Sequence, residues 1–190
     1  TAGNAGAATT GTVLKEVSLP TGYAAAFTTS PINDSNKAAG AFDITSAEVG
    51  ATYAYSISSS GGGTAVTGGG TVASATQSVT GVDLSGLGDG TLTVSVTLTD
   101  AHGNAGSAVT GTVVKDVVLP TGYAAAFTTT PVNLSNYTAA AFDITGAEVG
   151  ATYNYTITSS GGGTPVTGTG TVASATQSVT GLDLTGLSDG

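Results

Sequence analysis

Shifted by 100 residues, the chain lies on itself without a gap: residues 1–90 align with 101–190, and about three quarters of the aligned positions are identical. GYAAAFTT recurs at 22 and 122, AFDIT at 41 and 141, AEVGATY at 47 and 147, and TVASATQSVTG at 71 and 171. A period this long exceeds one coil of a solenoid and matches a self-contained domain, so each copy is expected to fold by itself.

Within a copy the hydrophobic residues alternate. In TLTVSVTLTD, residues 91–100, Leu92, Val94, Val96 and Leu98 fall on one face and Thr and Ser on the other, the pattern of a half-buried antiparallel strand. Ala51–Ser58 puts Tyr53, Tyr55 and Ile57 inward, and AFDIT puts Phe42 and Ile44 inward with Asp43 outward. Turn chemistry separates these runs at Gly61-Gly62-Gly63, Gly68-Gly69-Gly70, Asp89-Gly90 and Gly103-Asn104. No segment has a helical period. Short strands with a turn every 8 to 12 residues predict an all-β chain of tandem immunoglobulin-like β-sandwich domains, about 100 residues per repeat. On that topology strand A covers 17–27, B 38–46, C 51–59, D and E lie between 64 and 80, F covers 91–100 and G 107–115. One complete repeat is then 17–116. Residues 1–16 are the terminal strand of a preceding repeat, and 117–190 a second repeat truncated before its last two strands. The second copy should keep an open sheet edge, which invites pairing with another chain.

Composition removes several classes of function. The formal charge is −9, from three lysines, no arginine and twelve acidic residues, and phosphate binding needs clustered cations, so nucleic acid is excluded as a partner. There is no cysteine, hence no disulfide frame, thiolate metal site or thiol nucleophile. No apolar run is long enough to span a membrane and no charged, apolar leader opens the chain, so any secretion signal is expected outside it. Low hydrophobicity with high charge marks disorder; here the mean hydropathy is positive. His102 has Ala2 at its counterpart and no repeated partner, so the chain is not expected to be an enzyme.

The acidic residues concentrate at expected strand ends. Glu16, Glu48 and Asp100, with Asn104 beside them, fall at the leading end of the sandwich; Asp83 and Asp89 fall at the trailing end, facing Asp116. Asp116 and Glu148 match Glu16 and Glu48 in the other copy. Clustered carboxylates repel by about 1 kcal/mol per pair at 4 Å in water and several times that near a protein surface. Ca²⁺, which takes oxygen ligands in flexible geometry, is the natural partner. The alternative is ordinary turn chemistry: Asp-Gly and Asp-x-x-Gly-Asn form turns without binding anything.

TLTVSVTLTDAHGNAG running into a last strand, then KDVVLP, with AEVGATY following, resembles the bacterial Ig-like domains of giant repetitive adhesins, above all the extender regions of RTX adhesins that tether biofilm bacteria to surfaces. The resemblance implies type I secretion, a location at the bacterial cell surface, many copies whose partners are neighbouring repeats of the same chain, a distal ligand bound by another region, and Ca²⁺ at the junctions. By motif the implied ligands are Asp100, Glu16 or Asp116, and Glu48 or Glu148. The linker departs from the family's usual Asp-Thr-Thr-Ala-Pro: here it reads Asp116-Val-Val-Leu-Pro120. The expected function is a structural spacer. The rival readings are a carbohydrate- or protein-binding Ig-like module and a surface-layer or matrix filament subunit. A binding module predicts divergence between copies, which is sharpest at Asp34/Leu134 and Lys37/Tyr137.

Overall fold

The computed structural model describes residue 3 and residues 6–190, and it is all-β. The chain divides into two compact units, Thr1–Val118 and Leu119–Gly190.

The first unit has seven strands: β1 Ala24–Phe27, β2 Gly40–Thr45, β3 Thr52–Ser59, β4 Val66–Thr71, β5 Thr76–Val82, β6 Gly90–Thr99 and β7 Val109–Lys115. They form two sheets, β1-β2-β5 and β4-β3-β6-β7, with every pairing antiparallel. Between the sheets sit the residues whose alternation marked them as inward. Phe42 and Ile44 from β2, Ile57 from β3, and Leu92, Val94, Val96 and Leu98 from β6 are fully buried. Ile32, Leu84 and Leu87 close the core from the loops. Phe42 is its centre, edge-on to Phe27 at 6.3 Å and to Tyr55 at 5.1 Å between ring centroids.

One strand differs from the expected boundaries, and one from the usual sheet placement of an immunoglobulin-like order. Strand A was expected over 17–27, but β1 begins at Ala24: Pro20 has no N–H to give a ladder, and Gly22 turns the backbone with φ 77°. Strand D, from its place in an immunoglobulin-like order, lies as β4 against β3 rather than in the sheet of β1, β2 and β5. A six-residue connection, 60–65, folds it straight back on its predecessor. Between β2 and β5 the register slips at Gly40/Phe42, where Gly81 supplies the left-handed backbone of a bulge (φ 69°); Gly181 repeats it with φ 70°. The sheets close along one side where Ile32 bridges Lys115 in parallel.

The second unit contains β8 Ala124–Phe127, β9 Ala140–Thr145, β10 Thr152–Ile157, β11 Val166–Thr171 and β12 Thr176–Leu182, as sheets β12-β9-β8 and β10-β11. These reproduce β1 to β5, down to the edge-on contacts of Phe142 with Phe127 and Tyr155. Two positions differ in exposure between the units: Tyr23 is 5% exposed but Tyr123 60%, and Ile32 is 0% exposed but Val132 42%.

Residues 6–16, expected to be a terminal strand, carry no strand. Their counterparts in β7 are held by β6. Residues 1, 2, 4 and 5 of that expected strand lie outside the described residues.

Candidate functional site

Each acidic strand end is built from a short turn. The carboxylate accepts the N–H two residues on in the same way at Glu16 (Ser18 N, 2.6 Å), Asp83 (Ser85 N, 2.9 Å), Asp100 (His102 N, 2.8 Å), Asp116 (Val118 N, 3.0 Å) and Asp183 (Thr185 N, 3.0 Å). This is the turn-forming habit of short acidic side chains. It holds the carboxyl groups of Glu16, Asp83 and Asp183 below their ordinary range, the bonds to Ser18, Ser85 and Thr185 being the main cause.

At the leading end of the first unit, Asp100 is the most heavily bonded. Its Oδ1 accepts the N–H groups of His102 and Asn104, both at 2.8 Å, and its Oδ2 accepts Asn104 Nδ2 at 2.8 Å. The bond from the Asn104 side chain pulls its carboxyl below the usual range, against the opposing effect of burial. Asn104 Nδ2 also donates to the backbone oxygen of Glu16 at 3.3 Å, which ties Glu16 to the same corner. Glu16, Asp100 and Asn104 are therefore brought together as expected. Glu48 lies exposed on its turn, where its backbone oxygen accepts Ala51 N at 3.2 Å, and Glu148 repeats this with Ala151 at 3.1 Å.

At the trailing end, Asp89 meets Lys115, while the Asp116 carboxylate is turned to Val118 N. Lys115 is 2% exposed. Its Nζ donates to the backbone oxygen of Leu87 and stands 3.7 Å from Asp89 Oδ1, which also accepts Val117 N at 3.2 Å. Sequence reasoning missed Lys115. The signal was available: it follows Val109, Gly111 and Val113 in the inward phase of β7.

In this structure an amide N–H₂ donates to the carboxylate at the leading end, and an ammonium stands beside the carboxylate at the trailing end. Among the described residues no three acidic or histidine side chains stand close enough to hold a metal ion. Ca²⁺ takes about six to eight oxygens, so these oxygens do not form a calcium cage by themselves.

The divergent loop of the first unit carries an ion pair between Lys37 and Asp34. In the second unit the same positions hold Tyr137 and a wholly exposed Leu134. Mid-strand Asp43 and Asp143 accept the hydroxyls of Ser78 and Ser178 across the sheet, both at 2.6 Å. Among the described residues no helix is long and apolar enough to cross a membrane.

No known family profile and no curated protein matches the chain. Among solved structures it is similar to a tetra-tandem repeat in the extending region of a large adhesion protein, with 27% identity over 89% of this chain and 43% of that one, at a TM-score of 0.42. It is also similar to a structure concerned with the host cell surface retention of a 1.5-MDa bacterial ice-binding adhesin, with 18% identity over 85% of this chain and 54% of that one, at a TM-score of 0.41. The chain thus spans about half the length of these structures or less.

Proposed function

We propose that the chain is a spacer segment of an exported bacterial surface adhesin, one stretch of a fibre that carries a distal binding region away from the cell. The observation that supports this reading most is the near-identity of residues 1–90 and 101–190, whose differences are mostly exchanges of like for like. Selection for a binding or catalytic site diversifies loops; selection for length multiplies a bead and leaves its surface alike. The adhesin assignment itself comes from the order of motifs in TLTVSVTLTDAHGNAG, KDVVLP and AEVGATY. Non-enzymatic action and a place outside the cell belong to the same reading.

Calcium at the acidic strand ends is part of the proposal on the strength of the sequence resemblance. Glu16, Asp100 and Asn104 are the residues that would offer oxygens together. Asp83, Asp89, Asp116, Glu48 and Glu148 are the remaining candidates.

A ten-residue strand such as β6 spans about 33 Å at about 3.3 Å per residue, so each complete repeat should lengthen the particle by roughly 35–45 Å. X-ray scattering from proteins of two, four and six complete repeats would read that increment in the maximum dimension. A dimension that stops growing with repeat number would sink the spacer reading. Repeating the measurement with excess chelator tests calcium separately: an unchanged radius and melting temperature remove calcium and leave the spacer standing.

A further inference from the structure

The chain approaches β1 through residues 16–23 and leaves β7 through 116–118, and both stretches are bonded to one hairpin. That hairpin is β6–β7, whose strands pair from Gly90↔Lys115 to Val96↔Val109. At its turn, Asn104 Nδ2 donates to the backbone oxygen of Glu16 at 3.3 Å. The buried Tyr23 hydroxyl donates to Ser107 O at 2.6 Å and accepts Leu98 N at 3.2 Å. Between these two points the backbones nearly touch: a Cβ on Gly106 would lie 2.4 Å from Pro20 O. At the open end of the hairpin, Lys115 Nζ donates to Leu87 O and stands 3.7 Å from Asp89 Oδ1. Asp89 Oδ1 accepts Val117 N at 3.2 Å, and Ile32 O accepts Asp116 N at 2.9 Å. Two successive amides of the leaving stretch are thus held by two separate loops.

We propose that β6–β7 is a splint that sets the direction in which the chain enters and leaves the first unit. Tyr23 and Asn104 position the entry; Asp89, steadied by Lys115, positions the exit. The use of such a splint to a fibre rests on the spacer reading, whereas the bonds that make it do not.

The exit clamp is fixed by burial. An ammonium that is 2% exposed needs a carboxylate partner, so the Asp89 side chain is kept where Val117 N meets it. The entry clamp is fixed by closeness, since any side chain at 106 would push residue 20 away. The two clamps stand at opposite ends of β6, a ten-residue strand whose inward Leu92, Val94, Val96 and Leu98 are fully buried. The hairpin is therefore seated in the core along its length and carries both clamps on one rigid body. Every donor and acceptor in them belongs to the chain itself.

The test uses the full 190-residue chain. It has no cysteine, so single cysteines at the exposed positions Leu19 and Val118 take one spin label each. For the exit, Asp89→Ala is combined with Lys115→Met, which removes the buried charge together with its partner and spares the fold. Exchange of the Val117 amide should quicken about tenfold and the label at 118 become more mobile, with the amides of Val94 and Val96 unchanged. For the entry, Tyr23→Phe keeps the ring and removes the hydroxyl; the label at 19 should loosen while Val117 stays protected. Excess chelator should leave both labels of the otherwise unaltered chain as they are. Unchanged exchange at Val117 in the double variant overturns the proposal. Equal quickening of Val94 and Val96 also overturns it, because the pair then supports the unit and not its exit. So does loosening of either label by chelator alone, since a metal then holds the clamp. Failure of the spacer reading shows instead in the scattering series and leaves these local readouts untouched.

Discussion

Asp100 accepts three hydrogen bonds in a buried corner, and its carboxyl is held below the ordinary carboxylate range chiefly by the amide of Asn104. The unfolded value is near 3.9, and the folded value lies beneath it. The charged form therefore contributes stability that is present above about pH 4 and is lost as pH falls through the folded pKa. Asp100→Asn keeps the turn's acceptor for the N–H groups of His102 and Asn104 and removes the charge. Its melting temperature should lie below wild type at pH 7, and the gap should close as pH falls below about 4. Melts at a series of pH values check this, and a gap that does not vary with pH would contradict it. That Asp100 forms a turn was legible in Asp-x-x-Gly-Asn. That the Asn104 amide donates to the Asp100 carboxylate was not, because the orientation of the Asn104 side chain is a matter of local geometry. Lys115 was hidden for a different reason. Its partners Leu87 and Asp89 lie 28 and 26 residues away along the chain, in the approach to β6, and no spacing rule connects them to the end of β7.

β6 could be read whole from the sequence because its alternation is unbroken and its partners lie on both sides. β4 could not be assigned to a sheet so easily. Its VTGGGT presents glycine at three consecutive positions, which leaves little side-chain pattern to choose a face, and the short connection from β3 decides the pairing. β7 and its sequence counterpart near the start of the chain give a matched test of what a neighbouring element imposes. A Cβ on Gly111 would lie 2.3 Å from the backbone oxygen of Ala25, where β1 passes close to β7, whereas one on Gly11 meets nothing within 4 Å. Gly111→Ala should destabilise the first unit by about 1–3 kcal/mol, since backbone cannot swing aside as a side chain can. Gly11→Ala should stay within about 0.5 kcal/mol. Urea unfolding of the two variants distinguishes them; equal effects would mean that the approach of β1 to β7 is loose.

For the molecule as a whole, the 100-residue offset carried most of the fold: two units, one with seven strands and one with the first five of the same order. It could not show the fate of the flanking pieces. Residues 6–16 have the composition of β7 but carry no strand. The acidic ends were legible as positions, and the turns at Glu16, Asp83, Asp100 and Asp116 each give the carboxylate a local N–H. One feature of the first unit bears on how it behaves under load. Ile32 N donates to Val114 O at 3.0 Å and Asp116 N donates to Ile32 O at 2.9 Å, so the stretch after β1 and the last strand run side by side in the same direction. A pull on the two ends of this unit drags those strands past each other along their length. The bonds are sheared together rather than peeled in turn. Stretched in optical tweezers, the first unit should hold its length and then break in one abrupt step; a smooth extension would refute the mechanical lock.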